Sequence, residues 1–175
     1  MTSEEFEAAT GSLFHEVAPM TLATCAGNVP WASDVYFARS GLDLIFFSSP
    51  GSRHCRNLVA NPTCAVSVHA PVATWRDIRG VQMEGVAGRA ETVSEKAAAI
   101  AAYVAKFPFA RDLLASPAGM IRSAFRAQAH IFRPTRIRYL DNRRGVGVRY
   151  SVGIVGGGPV GPPQREMTDA TASDA

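Results

Sequence analysis

Apolar residues recur along this chain in two periods, and the change from one to the other divides it into elements. Over residues 3–17, Phe6, Ala9, Leu13, Phe14 and Val17 share a helical face, and Thr2 with Glu5 fits a capping box, so a helix is expected to close one end of the fold. Met20 to Cys25 and Trp31 to Phe37 read as strands joined at Gly27 and Asn28, residues that tolerate positive φ. Alternation in the second strand sets Ala32, Asp34 and Tyr36 on one side and Ser33, Val35 and Phe37 on the other. Leu44 to Phe47 is a short apolar run between turn residues, the pattern of a strand covered on both faces. Thr63 to His69 and Asp77 to Glu91 are further strands. Gly80, Gly85 and Gly88 in the latter mark bends or close approaches. An Ala-rich helix from Ser94, its expected cap, to Lys106 has Ile100, Val104 and Phe107 spaced for burial. Pro108 breaks it, and a shorter helix through Arg111, Leu113 and Leu114 leads to Pro117. Ala129 to Tyr139 is the closing strand, bulged at Pro134. From Gly153 the chain turns Gly- and Pro-rich, then polar, so one domain over residues 1–152 and a disordered tail over 153–175 are expected.

Composition narrows the classes. At 175 residues and 47% hydrophobic, the chain supports one core. Net charge is +3, and Lys occurs only at Lys96 and Lys106. Arginine binds phosphate in a bidentate fork, so phosphorylated ligands are permitted, although an Arg-for-Lys surface bias explains the count equally well. Arg122, Arg126, Arg133, Arg136, Arg138, Arg143, Arg144 and Arg149 run beside Phe125, Phe132 and Tyr139. A nucleic-acid groove wants such charge with aromatics interleaved, but the strand arginines need not share a face and no RNA-binding signature appears, so nucleic acid is not an expected partner. Cys25, Cys55 and Cys64 are odd in number and without CxxC spacing, which fits buried free thiols in a reducing compartment. The first residues are acidic and lack the order of a signal peptide, and no apolar run approaches the ~18 residues of a membrane span. A cytoplasmic protein with no membrane partner is expected. There is no HExxH, no paired-Cys metal spacing and no nucleophile elbow.

The stretch Leu42 to Val68 carries the chemistry. After its apolar strand come Ser48 and Ser49, then Pro50 at a first helical position with Ser49 as its cap, and Asn61-Pro62 ends the helix. Cys55, Leu58 and Val59 are expected on its packed face, leaving Arg53, His54, Arg56 and Asn57 pointing elsewhere. Helix N–H groups, serine hydroxyls and an Arg-His pair then converge on an anion site sized for a phosphate.

Phe47-Ser48, then Gly51-Ser52-Arg53, then Asn61-Pro62 before a strand resembles the flavin-binding split barrels related to pyridoxamine 5′-phosphate oxidase. Residues 20–38 resemble the first barrel hairpin of that family, and 78–91 the strand whose Gln and Gly lie near the cofactor. Ile78 to Gln82, Phe107 to Arg111 and Asp141 to Gly147 are similar to motifs of a small bacterial group within it. The resemblance spans residues 15–150. It implies a mainly β fold with flanking helices, a six-stranded antiparallel split β-barrel acting as a homodimer. It also implies FMN at the subunit interface, an FMN-dependent oxidoreductase activity and a small-molecule redox substrate. Ser48, Ser49, Ser52, Arg53 and His54 would hold the phosphate, with Phe47 beside them. Ser33, Val35 and Gln82 would lie along the ring, and catalytic residues stay unnamed. The oxidase pattern has Arg then Lys at the helix start, whereas His54 follows Arg53 here, and Ala32 and Phe37 stand where its hairpin has basic residues. The carboxy-terminal Arg-His signature that grips the pyridoxal substrate is not visible. The alternatives are a haem-binding or haem-degrading barrel with an axial ligand from His15, His54, His69 or His130, an F420-dependent reductase using the same anion site, and a non-enzymatic flavin carrier.

Overall fold

The computed structural model describes residues 1–115 and 127–166. Arg122, Phe125 and Arg126 of the arginine run, and the chain after Glu166, lie outside the described residues. Six antiparallel strands close on themselves: β1 (Pro19–Ala26), β2 (Val29–Ser40), β3 (Asp43–Ser48), β4 (Thr63–His69), β5 (Arg79–Arg89) and β6 (Gln128–Asp141). Their order is β3-β2-β1-β4-β5-β6, and β3 pairs back onto β6 from Leu44↔Phe132 to Ser48↔Gln128. The barrel, with flanking helices, is thus the architecture the resemblance implies. Closure removes both edges that an open sheet would present.

The β1–β2 hairpin turns where expected, Gly27 at φ 55° and Asn28 at φ 59°. Both central residues are left-handed, which matches the twist of the paired strands. Val35 and Phe37 face the barrel interior with Leu22, Leu44, Phe46, Val66, Val81, Met83 and Phe132. Interior side chains fill it, so the barrel is a packed core.

Helix α1 (Ser3–Glu16) has the expected capping box between Thr2 and Glu5. It plugs one end of the barrel, setting Phe6 edge-on to Tyr139 and Phe14 edge-on to Phe37. Helix α2 (Arg53–Ala60) packs mainly on β1 and β2. Helix α3 (Val93–Lys106) is capped by Thr92 rather than Ser94, because Thr92 and Glu95 complete a capping box there. On α3 it is Ala99 that is buried, while Ile100 is 42% exposed, contrary to its expected burial. Lys106 reaches from the end of α3 to donate to the carbonyls of Phe14 and Val17, tying α3 to α1. Helix α4 (Pro108–Ala115) follows.

The expected disordered tail is corrected over residues 153–166. β7 (Arg149–Val155) pairs with β6, β8 (Gly158–Pro159) turns back on β7, and β9 (Gln164–Glu166) also pairs with β7. The glycines there serve a reversal: Gly156 and Gly157 adopt φ of 61° and 80°. Val152 and Ile154 alternate into the core, and backbone ladders with the Arg138–Glu166 ion pair at 2.9 Å hold the strands beyond them.

Candidate functional site

The end of β3 and the start of α2 meet in a cluster of hydroxyls around one imidazole. Ser48 Oγ lies 2.6 Å and Ser52 Oγ 3.1 Å from His54 Nε2, and Ser33 Oγ lies 3.2 Å from His54 Nδ1. Trp31 Nε1 donates to Ser33 Oγ at 2.8 Å. Hydroxyls both donate and accept, so the cluster is satisfied with the proton on either ring nitrogen.

The helix begins later than its proline suggests. Ser52 N–H donates to the Ser49 carbonyl at 2.9 Å, so Ser49-Pro50-Gly51-Ser52 is a turn, and Ser52 is the cap, its Oγ accepting from Cys55 N–H at 3.3 Å. That shift re-aims the helix. Its buried residues are His54, Cys55, Asn57 and Leu58, and Val59, expected on the packed face, is 89% exposed. Asn57 Nδ2 donates to Thr24 Oγ1 at 3.0 Å, which compensates for burying its amide.

Arg53 points outward, its guanidinium 4.3 Å from the centre of the Trp31 ring. No acidic residue occupies the first turn of α2. Exposed Ser49 and the half-buried Ser52 stand in the turn that leads into this helix end, where the first N–H groups also lie. A guanidinium, hydroxyls and the positive end of a helix with no carboxylate among them is the donor set a phosphate dianion takes.

Not every expected site residue joins this group. Ser33, Ser48, Ser52 and His54 do, through direct hydrogen bonds. The side chain of Val35 lies in the core, at 9% exposure, which leaves only its backbone for a ligand. Phe47 faces away from the interior and packs on Tyr103 of α3, ring centres 4.9 Å apart. Gln82 lies on the outer face of the barrel, lining a shallow cleft with Thr21, Ala23, Ser67 and Arg138. Asp34 is also outward and accepts from Thr21 Oγ1 at 2.7 Å. Arg138, a candidate for a phosphate across two chains, is engaged by Glu166, Arg133 by Glu95 at 2.6 Å, and Arg136 stands 4.0 Å from Glu84.

The sequence reading offered His130 only as an axial haem ligand and missed its pairing with Cys55. Its Nδ1 donates to the Gln128 carbonyl at 2.9 Å, its Nε2 lies 3.5 Å from Cys55 Sγ, and its ring stacks on Phe46 at 5.1 Å. Burial pushes the Cys55 thiol up, but hydrogen bonds from His130, His54 and Ser52 and the charge of His130 outweigh it and hold the thiol down at about 5. Cys64, buried without such partners, is pushed up to about 12. All three cysteines are free.

A larger cleft of about 650 Å³ opens beside the hairpin, lined by Val17, Met20, Asp34, His69, Pro71 and Arg79 among others. His69 and His15 are both exposed.

A closed six-stranded antiparallel barrel with a polar cluster where a strand runs into a short helix defines a class of small split barrels. Within that class, residues 6–137 match the family model of pyridoxamine 5′-phosphate oxidase, and the chain belongs to this family. No curated protein matches it. Among solved structures it is similar to a heme binding protein from Mycobacterium smegmatis, with 26% identity and a TM-score of 0.64 over 83% of this chain. The chain spans 57% of that protein's length. It shares its fold with a FAD-binding protein from Mesorhizobium loti, at 17% identity and TM-score 0.57, over 73% of this chain and 88% of that one. The same holds for General Stress Protein 26 from Bacillus anthracis, at 13% identity and TM-score 0.55, over 78% of this chain and 94% of that one. No described helix is long and apolar enough to cross a membrane.

Proposed function

We propose that this chain binds FMN, held by its phosphate at the amino end of α2, and acts as a flavin-dependent oxidoreductase on a small molecule. The observation that carries this reading is the carboxylate-free donor set around Arg53. Arg53 supplies the fixed charge, Ser49 and Ser52 supply hydroxyls, and His54 holds Ser48 and Ser52 in place from within. When bound, the flavin supplies the hydride or electron chemistry, and the chain's part is to fix the phosphate and shape the surroundings. F420, also a phosphate ester, would use the same donors. A chain that binds FMN but reduces no acceptor would be a flavin carrier.

The proposal includes a homodimer, in which a second copy adds to the ligand site through the outer face that carries Gln82. The outer face suits such a partner by charge. Asp34, Thr21, Ser67, Gln82 and Arg138 form one row across β2-β1-β4-β5-β6, so a two-fold axis near Ser67 sets Asp34 of one copy towards Arg138 of the other. Light scattering at micromolar concentration should return twice 18.7 kDa, and a monomer mass would contradict it.

A haem reading has one specific observation in its favour: His69 and Arg79 line the same 650 Å³ cleft beside Val17 and Met20. That volume suits a ligand pocket, whereas the ring nitrogens of His54 and His130 are all engaged. Titration separates the two readings. Quenching of FMN fluorescence that survives His69→Ala supports the flavin. A Soret band that His69→Ala abolishes, with no flavin retained, supports haem.

A further inference from the structure

Beneath the serine cluster, Cys55 and His130 form a pair that flavin binding does not use. Cys55 sits in the first turn of α2, where the helix dipole favours a negative sulfur, and its own N–H is held by Ser52 Oγ. His130 arrives from β6, seventy-five residues on, and presents Nε2 to Sγ at 3.5 Å. The Gln128 carbonyl can only accept, so the 2.9 Å contact fixes a hydrogen on Nδ1 and aims Nε2 at the sulfur. Nucleophile, base and orienting group are thereby in line, the arrangement that activates a thiol. The groups acting on the sulfur are His130 from β6 and His54 and Ser52 from its own helix end. β1 and β2 meet α2 through Thr24, Trp31 and Ser33, which carry no charge.

We propose that Cys55 is a modification site for hydroperoxides, with His130 as its proton donor. The thiolate sulfur attacks the terminal oxygen of the hydroperoxide; an S–O bond forms as the O–O bond breaks. The departing alkoxide, or hydroxide from hydrogen peroxide, takes from His130 Nε2 the proton that Nε2 accepted from the Cys55 thiol when the thiolate formed. Sulfur is oxidised by two electrons to sulfenic acid, and the peroxide is reduced to an alcohol or water. The added oxygen then stands next to Ser52 and His54, so oxidation weakens whatever the α2 end holds. The half-buried hydroxyls of Ser48 and Ser52 lie on the outward side of the cluster, and Cys55 itself is 3% exposed, so the oxidants proposed for the site are as small as a hydroperoxide, and bulky thiol reagents are not among them.

The other two cysteines are internal comparisons. Cys25 is more exposed and Cys64 is buried, and neither hydrogen-bonds a histidine among the described residues. Purified protein is treated with hydrogen peroxide at pH 6 and pH 8, and sulfenic acid is trapped and located by peptide mass spectrometry. Cys55 should react at least about tenfold faster than Cys25 at pH 6 and change little between the two values, because it is already thiolate at both, whereas an ordinary thiol near pKa 8.5 gains thiolate, and rate, steeply from pH 6 to pH 8. His130→Gln should slow Cys55 about tenfold or more at unchanged circular dichroism. Cys25 reacting first, or Cys55 gaining rate with pH as an ordinary thiol does, overturns the proposal. Should His130→Gln not fold, the wild-type comparison of the three thiols decides it alone. None of these readouts requires flavin.

Discussion

At the scale of single residues, the chemistry turns on what His54 does in place of the lysine found in the related oxidases. A lysine would project its charge to solvent beside Arg53, but an imidazole is short and bonds at both ends, so it folds inward and links Ser33 to Ser48 and Ser52. Truncating it leaves those hydroxyls and the inner face of the helix without their shared partner. His54→Leu should therefore cost about 1–3 kcal/mol, read as a lower urea midpoint at an unchanged slope. The sequence alone suggests that His54→Lys would tighten FMN by restoring charge. At 8% exposure the position instead penalises an ammonium, so this variant should lose stability too. A His54→Lys protein as stable as the parent would show that the side chain turns outward. The local part of the cluster was legible, because Ser48, Ser52, Arg53 and His54 lie within six residues of one another. His130 was not, since a solitary histidine in a strand carries no mark of the β3–β6 register that sets it opposite Phe46 and above Cys55.

At the scale of elements, strands and caps were readable wherever the periodic pattern and a capping residue agreed, as in α1 and the first hairpin. They were misread where a proline or glycine admitted two uses. Pro50 opens a turn rather than the helix. The three glycines of β5 looked alike in sequence and differ in the fold. A Cβ on Gly85 would lie 2.3 Å from the Arg133 carbonyl and 2.8 Å from the Phe132 ring, at the bulge opposite Pro134, while one on Gly88 meets nothing within 4 Å. Gly85→Ala should accordingly destabilise by about 1–3 kcal/mol, and Gly88→Ala should fall within roughly half a kcal/mol of the parent. Equal melting temperatures for the two variants would contradict the bulge. The last strands make a related point: their glycines and prolines read as a tail, yet Glu166 anchors β9 to Arg138 and β7. A chain ending at Val155 loses β8 and β9 and should melt several degrees lower by calorimetry. An unchanged transition would mean that these strands add nothing to stability.

At the scale of the molecule, closure of β3 onto β6 is what creates the site, because it brings the end of one strand, the start of α2 and the distant His130 to one mouth of the barrel. The barrel itself was legible through the order of its motifs and is shown by the family match over residues 6–137. The proposed FMN reading rests on Arg53, exposed above Trp31. The most direct measurement is the affinity of FMN and of riboflavin, which lacks the phosphate, for the parent and for Arg53→Ala, by flavin fluorescence. A charge-assisted hydrogen bond to phosphate contributes roughly 1.5–3 kcal/mol, so Arg53→Ala should weaken FMN by about ten- to a hundredfold and leave riboflavin nearly unchanged. Equal losses for the two ligands, or no loss for either, would place the phosphate elsewhere and contradict this account.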